Sequence, residues 1–120
     1  MATTSPYRSL AVLAARSADD KKALDIVVLD IHAASDVADF VVIAGVESSA
    51  QLMAVQGAVE DVLREQGHRP LRRDGRKRDR WVAIDFGAVM VHVLMTEARE
   101  FYRLDQLWES AKSVKWKKSR

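Results

Sequence analysis

The sequence predicts a single α/β domain, on three observations. Two β-branched runs, Leu24–Ile31 and Phe40–Ala44, are apolar on both faces, as strands in the middle of a covered sheet are. An amphipathic helix pattern then runs from Ser48 to Gly67. Two further apolar runs, Trp81–Phe86 and Val89–Met95, meet at Gly87 as a hairpin would. A chain of 120 residues, 48% hydrophobic and 30% charged, suits one globular domain with its own core.

Taken in order, Ser5-Pro6 reads as a helix start, with Ser at the N-cap and Pro at the first helical position. Tyr7, Leu10, Ala11, Ala14 and Ala18 fall on one stripe of that helix. The short link 32–39 between the first two strands has no room for a crossover helix, so they should pair antiparallel. Ser48 with Gln51 forms a capping box, and Leu52, Val55, Val59, Val62 and Leu63 make the apolar stripe behind it. Gly67 stops the helix. The strand at 40–44, this helix and a strand near Arg69–Arg73 form a βαβ-like unit. A basic loop, Arg72–Arg80, turns at Asp74-Gly75 and leads into the hairpin. A helix near Leu104–Ala111 follows, and residues 113–120 read as a basic, flexible tail behind a domain spanning 1–112.

Composition removes several function classes. With no cysteine there is no disulfide, no thiolate nucleophile and no cysteine metal site, and a reducing cytoplasm is a suitable setting. No apolar run approaches the roughly 20 residues of a membrane span. Met1–Arg8 lacks the apolar centre of a secretory signal. The formal net charge of +2 conceals a division. Residues 69–80 hold seven basic side chains against Asp74 and Asp79, and residues 112–120 hold five and no acid. The rest of the chain keeps seven basic residues against 15 acids. Such polarity speaks to partners rather than to fold. Arg76, Lys77, Arg78 and Arg80 beside Trp81 suit contact with RNA phosphates and an exposed base, against the plainer reading of a solvated charge run.

Catalytic motifs are weak. Asp85-Phe86-Gly87 matches a kinase tripeptide without its phosphate loop or catalytic loop, so it reads as a hairpin turn. His32, His68 and His92 have no metal-ligand spacing, and no metal or other cofactor is expected. A two-residue hairpin loop at Phe86-Gly87 or Gly87-Ala88 would put Trp81, Ala83 and Asp85 on one face with Met90, His92 and Leu94. Val82, Ile84, Val89, Val91 and Val93 would then turn to the core, leaving Trp81, Asp85 and His92 outward as a binding surface. Asp85 and His92 could form an acid–imidazole pair, though no Ser, Thr or Cys is tied to it as a nucleophile. A structural histidine with an ordinary hydrogen-bond partner is the competing reading.

Several segments together resemble the ribosomal silencing factor S family, the Iojap-like proteins. They are Leu24–Asp30, Ala38-Asp39-Phe40 through Ala44, Trp81 with Asp85, Gly87 and Val91-His92-Val93, then Arg99-Glu100-Phe101-Tyr102 and Leu104 to Leu107-Trp108. The resemblance covers about three quarters of the chain, from Lys21 to Trp108. It implies a mixed five-stranded sheet with flanking helices, distantly similar to nucleotidyltransferases but without catalytic activity. It also implies a cytoplasmic translational repressor that binds the large ribosomal subunit through that subunit's fourteenth protein. By the same resemblance, occupying that site would block joining of the small subunit when nutrients are scarce. A homodimer is implied as well. Carried onto this sequence, the contact set is Trp81, Asp85, His92, Arg99, Tyr102, Leu104 and Trp108.

The departures from the family pattern are Ala88 in place of a common acid, Val46 and Ala50 around the second helix start, and the basic Arg76-Lys77-Arg78. The loop and tail suggest contact with ribosomal RNA adjacent to the protein interface. Two rival functions remain open: a nucleotidyltransferase-like enzyme built on Asp30, Asp39 and Asp85, and an RNA-binding ribosome assembly factor.

Overall fold

Strand pairing follows from the lengths of the connections. In the computed structural model, which describes residues 6–33, 36, 38–75, 80–98 and 111–117, the chain runs α1 (Arg8–Asp20), β1 (Leu24–Asp30), β2 (Phe40–Val46), α2 (Ser49–Glu65), β3 (Arg72–Asp74), β4 (Trp81–Asp85), β5 (Val89–Met95) and β6 (Lys112–Ser113). β1 and β2 pair antiparallel, Val28 opposite Val42 and Leu29 opposite Val41, as their short link requires. β4 and β5 form the hairpin, and β5 runs parallel to β2 from Phe40 opposite Val89 to Val46 opposite Met95. The sheet order is β3-β4-β5-β2-β1-β6.

Among the described residues the sheet therefore has six strands rather than the expected five, the addition being the short edge strand β6. The βαβ-like unit is also split. β3 returns parallel to β2 through α2, but the β4–β5 hairpin lies between them. β2 and β5 hold the centre, which explains why every residue of β2 is buried.

α2 is closed at both ends as its sequence foretold. Ser48 Oγ accepts the Gln51 N–H at 3.0 Å. The Gln51 side chain reaches back to the Glu47 N–H at 2.8 Å, one residue earlier than in an ordinary capping box. Its amide also donates to the carbonyls of Lys21 and Lys22, which ties the end of α1 to the start of α2. At the other end Gly67 takes a φ of +86°, its N–H bonds to Arg64 O and the His68 N–H bonds to Leu63 O, a Schellman closure.

α1 starts later than its sequence suggests. Tyr7 occupies the N-cap without a side-chain bond, and Ser5 lies outside the described residues. Tyr7 is not part of the buried stripe; it is exposed and meets the His68 ring edge-on, 6.2 Å between centroids. Leu10, Ala11, Ala14, Ala15 and Ala18 are buried, and their small side chains let α1 lie close against α2 and the sheet.

The strands divide their side chains between two cores. Val82, Ile84, Val89, Val91 and Val93 join Val42, Ala44 and Val46 beneath the apolar stripes of α1 and α2. On the other face Leu29, Ile31, Ala38, Val41, Ile43 and Leu94 form a smaller cluster, with Val27, Trp81, Met90 and Ala111 against it. No residue of α1 or α2 belongs to that second cluster.

The segment expected to be a flexible tail is part of the fold through Trp116. β6 pairs with β1, Val114 is buried, and the Val114 N–H bonds to Val28 O at 2.8 Å. Trp116 packs on the main core and donates its indole N–H to Ile26 O at 3.1 Å, while Arg16 Nε donates to Trp116 O at 2.7 Å. An aromatic at that spacing from Val114 outweighs the surrounding lysines, because both apolar side chains find the core. The expected helix near Leu104–Ala111 falls almost wholly outside the described residues.

Candidate partner-binding face

The β4–β5 hairpin builds the candidate face. The Phe86 N–H bonds to Val89 O at 2.9 Å, so the loop is Gly87-Ala88. Gly87 has a φ of +90°, which L side chains rarely adopt. Asp85 Oδ1 accepts the Gly87 N–H at 2.7 Å and stiffens the turn. This loop fixes the register: Trp81 opposite Leu94, Ala83 opposite His92 and Asp85 opposite Met90. All six share the face away from the helices, as strand parity indicates.

Parity did not tell how accessible that face is. Ala83, His92 and Leu94 are buried, whereas Trp81, Asp85 and Met90 are half-buried. His92 is thus buried rather than turned outward as expected. Its ring lies parallel to the Trp81 indole, 5° between planes and 5.8 Å between centroids. Trp81 Nε1–H donates to His92 Nδ1 at 3.2 Å. Because Nδ1 accepts, the neutral ring carries its proton on Nε2. Burial pushes the His92 pKa down to about 4, so the ring is neutral at pH 7. The suggested Asp85–His92 pair does not form: His92 is taken up by Trp81, and Asp85 by Gly87.

Two backbone features position Trp81. Arg80 stands in the left-handed region at φ 60°, and the Met95 N–H bonds to Arg80 O at 2.8 Å, which carries the ladder one residue past the strand. The Arg80 guanidinium pairs with Glu97, a partner that sequence reasoning had not anticipated. Gly75 approaches so closely that a Cβ there would collide with the Trp81 carbonyl oxygen. Of the other residues singled out from sequence, Arg76, Lys77, Arg78, Arg99, Tyr102, Leu104 and Trp108 lie outside the described residues.

The carboxylates proposed for an enzymatic alternative lie toward one end of the sheet. The Ile31 N–H bonds to Asp39 O and the Asp39 N–H to Ala88 O, each at 2.8 Å, which brings the ends of β1 and β2 beside the hairpin turn. The Asp30 carboxylate accepts from the ring and backbone N–H of His32. Partial burial raises its pKa, and the bonds to His32 outweigh that and hold it below the ordinary range. Among the described residues no three of His, Asp and Glu form a group that could hold a metal ion.

Comparison with known proteins gives a consistent result. The family model described as "Ribosomal silencing factor during starvation" matches residues 4–120. A ribosomal silencing factor RsfS of Halalkalibacterium halodurans is 38% identical over 107 residues, covering 89% of this chain and 92% of that protein. A mouse protein named "Mitochondrial assembly of ribosomal large subunit protein 1" is 30% identical over 94 residues, 73% of this chain and 40% of that protein. A crystal structure from Bacillus halodurans, 36% identical, superposes with a TM-score of 0.77 over 90% of this chain and 98% of that one.

Proposed function

The chain belongs to the ribosomal silencing factor family, and from that premise we propose that it binds the large ribosomal subunit through the subunit's fourteenth protein and blocks joining of the small subunit. The observation that carries this reading is the placement of Trp81. It is a half-buried indole on the sheet face opposite α1 and α2, held in orientation by a buried neutral histidine. A large aromatic fixed before docking contributes apolar contact without first losing rotamer freedom. Asp85 and Met90 share its face, the carboxylate supplying direction and the thioether further apolar area.

Arg99, Tyr102, Leu104 and Trp108 complete the proposed contact set, a homodimer is its proposed free form, and the cytoplasm its proposed location. Among the described residues no helix is long and apolar enough to cross a membrane. The mechanism is steric. It needs no proton transfer, cofactor or metal, in keeping with relatives named as silencing factors rather than for a reaction. The name of the mouse relative supports an allied role, in which the same occupancy keeps maturing large subunits from joining too early.

Two measurements test the reading: co-sedimentation with isolated large subunits, and the yield of rejoined ribosomes when small subunits are added. Binding together with a reduced yield supports it. A chain that does neither contradicts it.

A further inference from the structure

We propose that the groove between the C-terminal half of α2 and the edge strand β3 binds the phosphate backbone of RNA. The groove encloses about 400 Å³ and is lined by Glu60, Arg64, Arg69, Pro70 and Arg73. Three of these described residues are arginines, and a guanidinium whose fork is not already taken by a carboxylate matches two phosphate oxygens at once.

The groove is built rather than merely charged. Arg73 donates Nε to Glu60 Oε2 at 2.7 Å and Nη2 to Glu60 Oε1 at 2.5 Å. This bidentate pair fixes the guanidinium against α2; it raises the Arg73 pKa and is the main cause of the lowered Glu60 pKa. Arg64 is held by Asp61 at 2.7 Å. Each acid is thus matched by an arginine, and Arg69 is left over, with no hydrogen bond or ion pair among the described residues. Among the described residues the groove therefore carries a net positive charge, with Arg69 as the cation that no acid matches.

Two observations favour RNA over a small anion. Arg72, which pairs with Asp74 at 3.5 Å, projects from the opposite side of β3 to Arg73, so guanidinium groups stand on both sides of one sheet edge, a spread that suits an extended polyanion more than a small anion. The basic run Arg76-Lys77-Arg78 continues directly after the turn at Gly75. Among the described residues no aromatic side chain lines the groove, so these residues offer phosphate contact without base stacking. β3 also adjoins β4, with Arg73 opposite Ile84, so the groove lies at the sheet edge on the helix side, across the sheet from the face that carries Trp81. The ribosomal source of the RNA rests on the function proposed above; the site itself does not.

The test uses the full chain and a fluorescently labelled RNA duplex free of ribosomal protein, titrated over a range of salt. The Arg64→Ser/Arg69→Ser double variant should bind more weakly, and the slope of log K against log salt should fall by about 0.9 for each phosphate contact removed. Lys21→Ser serves as control, since Lys21 lies at the opposite end of α2, beside Gln51. Its slope should match that of the parent protein. Both variants change exposed side chains, and circular dichroism confirms folding. A double variant with the parental slope overturns the proposal, as does a control that loses as much as the double variant. Failure of the parent protein to co-sediment with large subunits would count against the Trp81 face and leave the duplex result standing.

Discussion

Trp81 and His92 act as one unit: the indole lies flat beside the imidazole and donates its N–H to Nδ1 at 3.2 Å, with 5° between the rings. The arrangement needs a neutral imidazole, because a protonated Nδ1 cannot accept. Burial supplies that condition by pushing the pKa down to about 4.

A pH dependence of stability follows. The unfolded chain takes up a proton on His92 below about 6.5, while the folded chain stays neutral to about 4. The contribution is full above the unfolded value, declines as the pH falls between the two and is flat below about 4. Its total is roughly 3 kcal/mol. Urea unfolding at pH 7 and pH 4.5 should show the parent losing more stability than His92→Gln. Equal losses would mean that His92 is not the group responsible.

Asp85 has a structural and a proposed functional part, and one substitution separates them. Asn at this position keeps an acceptor for the Gly87 N–H but removes the charge. Asp85→Asn should leave the thermal midpoint within a degree or two of the parent, in keeping with the small effect of a surface charge. It should weaken large-subunit binding several-fold by sedimentation. Parental affinity would take Asp85 off the interface.

The ends of α2 give a local stability test. Ser48→Ala removes the cap on the Gln51 N–H and should cost about 1 kcal/mol. Gly67→Ala puts a Cβ on a residue at φ +86° and should cost about as much, although the space around it is open. Chemical denaturation should give additive losses, since the two sites lie at opposite ends of the helix. A neutral Gly67→Ala would mean that the Schellman closure relaxes freely.

Trp116 should behave as a core residue despite its basic surroundings. Trp116→Ala removes packing on the main core and the bond to Ile26 O, and should cost about 2–3 kcal/mol. Lys115→Ala, an exposed neighbour, should be near neutral. Equal and small effects from both would return this segment to the flexible tail that its charge suggested.

Much of the fold was legible because its determinants are local. The two ends of α2 were written in Ser48, Gln51 and Gly67, and the hairpin register in Gly87 and the strand period. What escaped was set by long-range contacts. Parity placed His92 with Trp81 but could not show that its ring is buried, because burial depends on how separate strands and segments pack around it. Charge density concealed the docking of Val114 and Trp116 onto β1 and the core, a contact across some ninety residues of sequence. The arginines near β3 could be counted from sequence, but their groove exists only once α2 lies alongside.

Trp81 is the proposed anchor of ribosome docking, and Trp81→Ala puts that role to the test. With folding confirmed by circular dichroism, binding to isolated large subunits is measured by co-sedimentation, and rejoining with small subunits on a sucrose gradient. The variant should lose most of its binding and should no longer reduce the yield of joined ribosomes. A folded Trp81→Ala protein that binds and blocks like the parent would contradict the account.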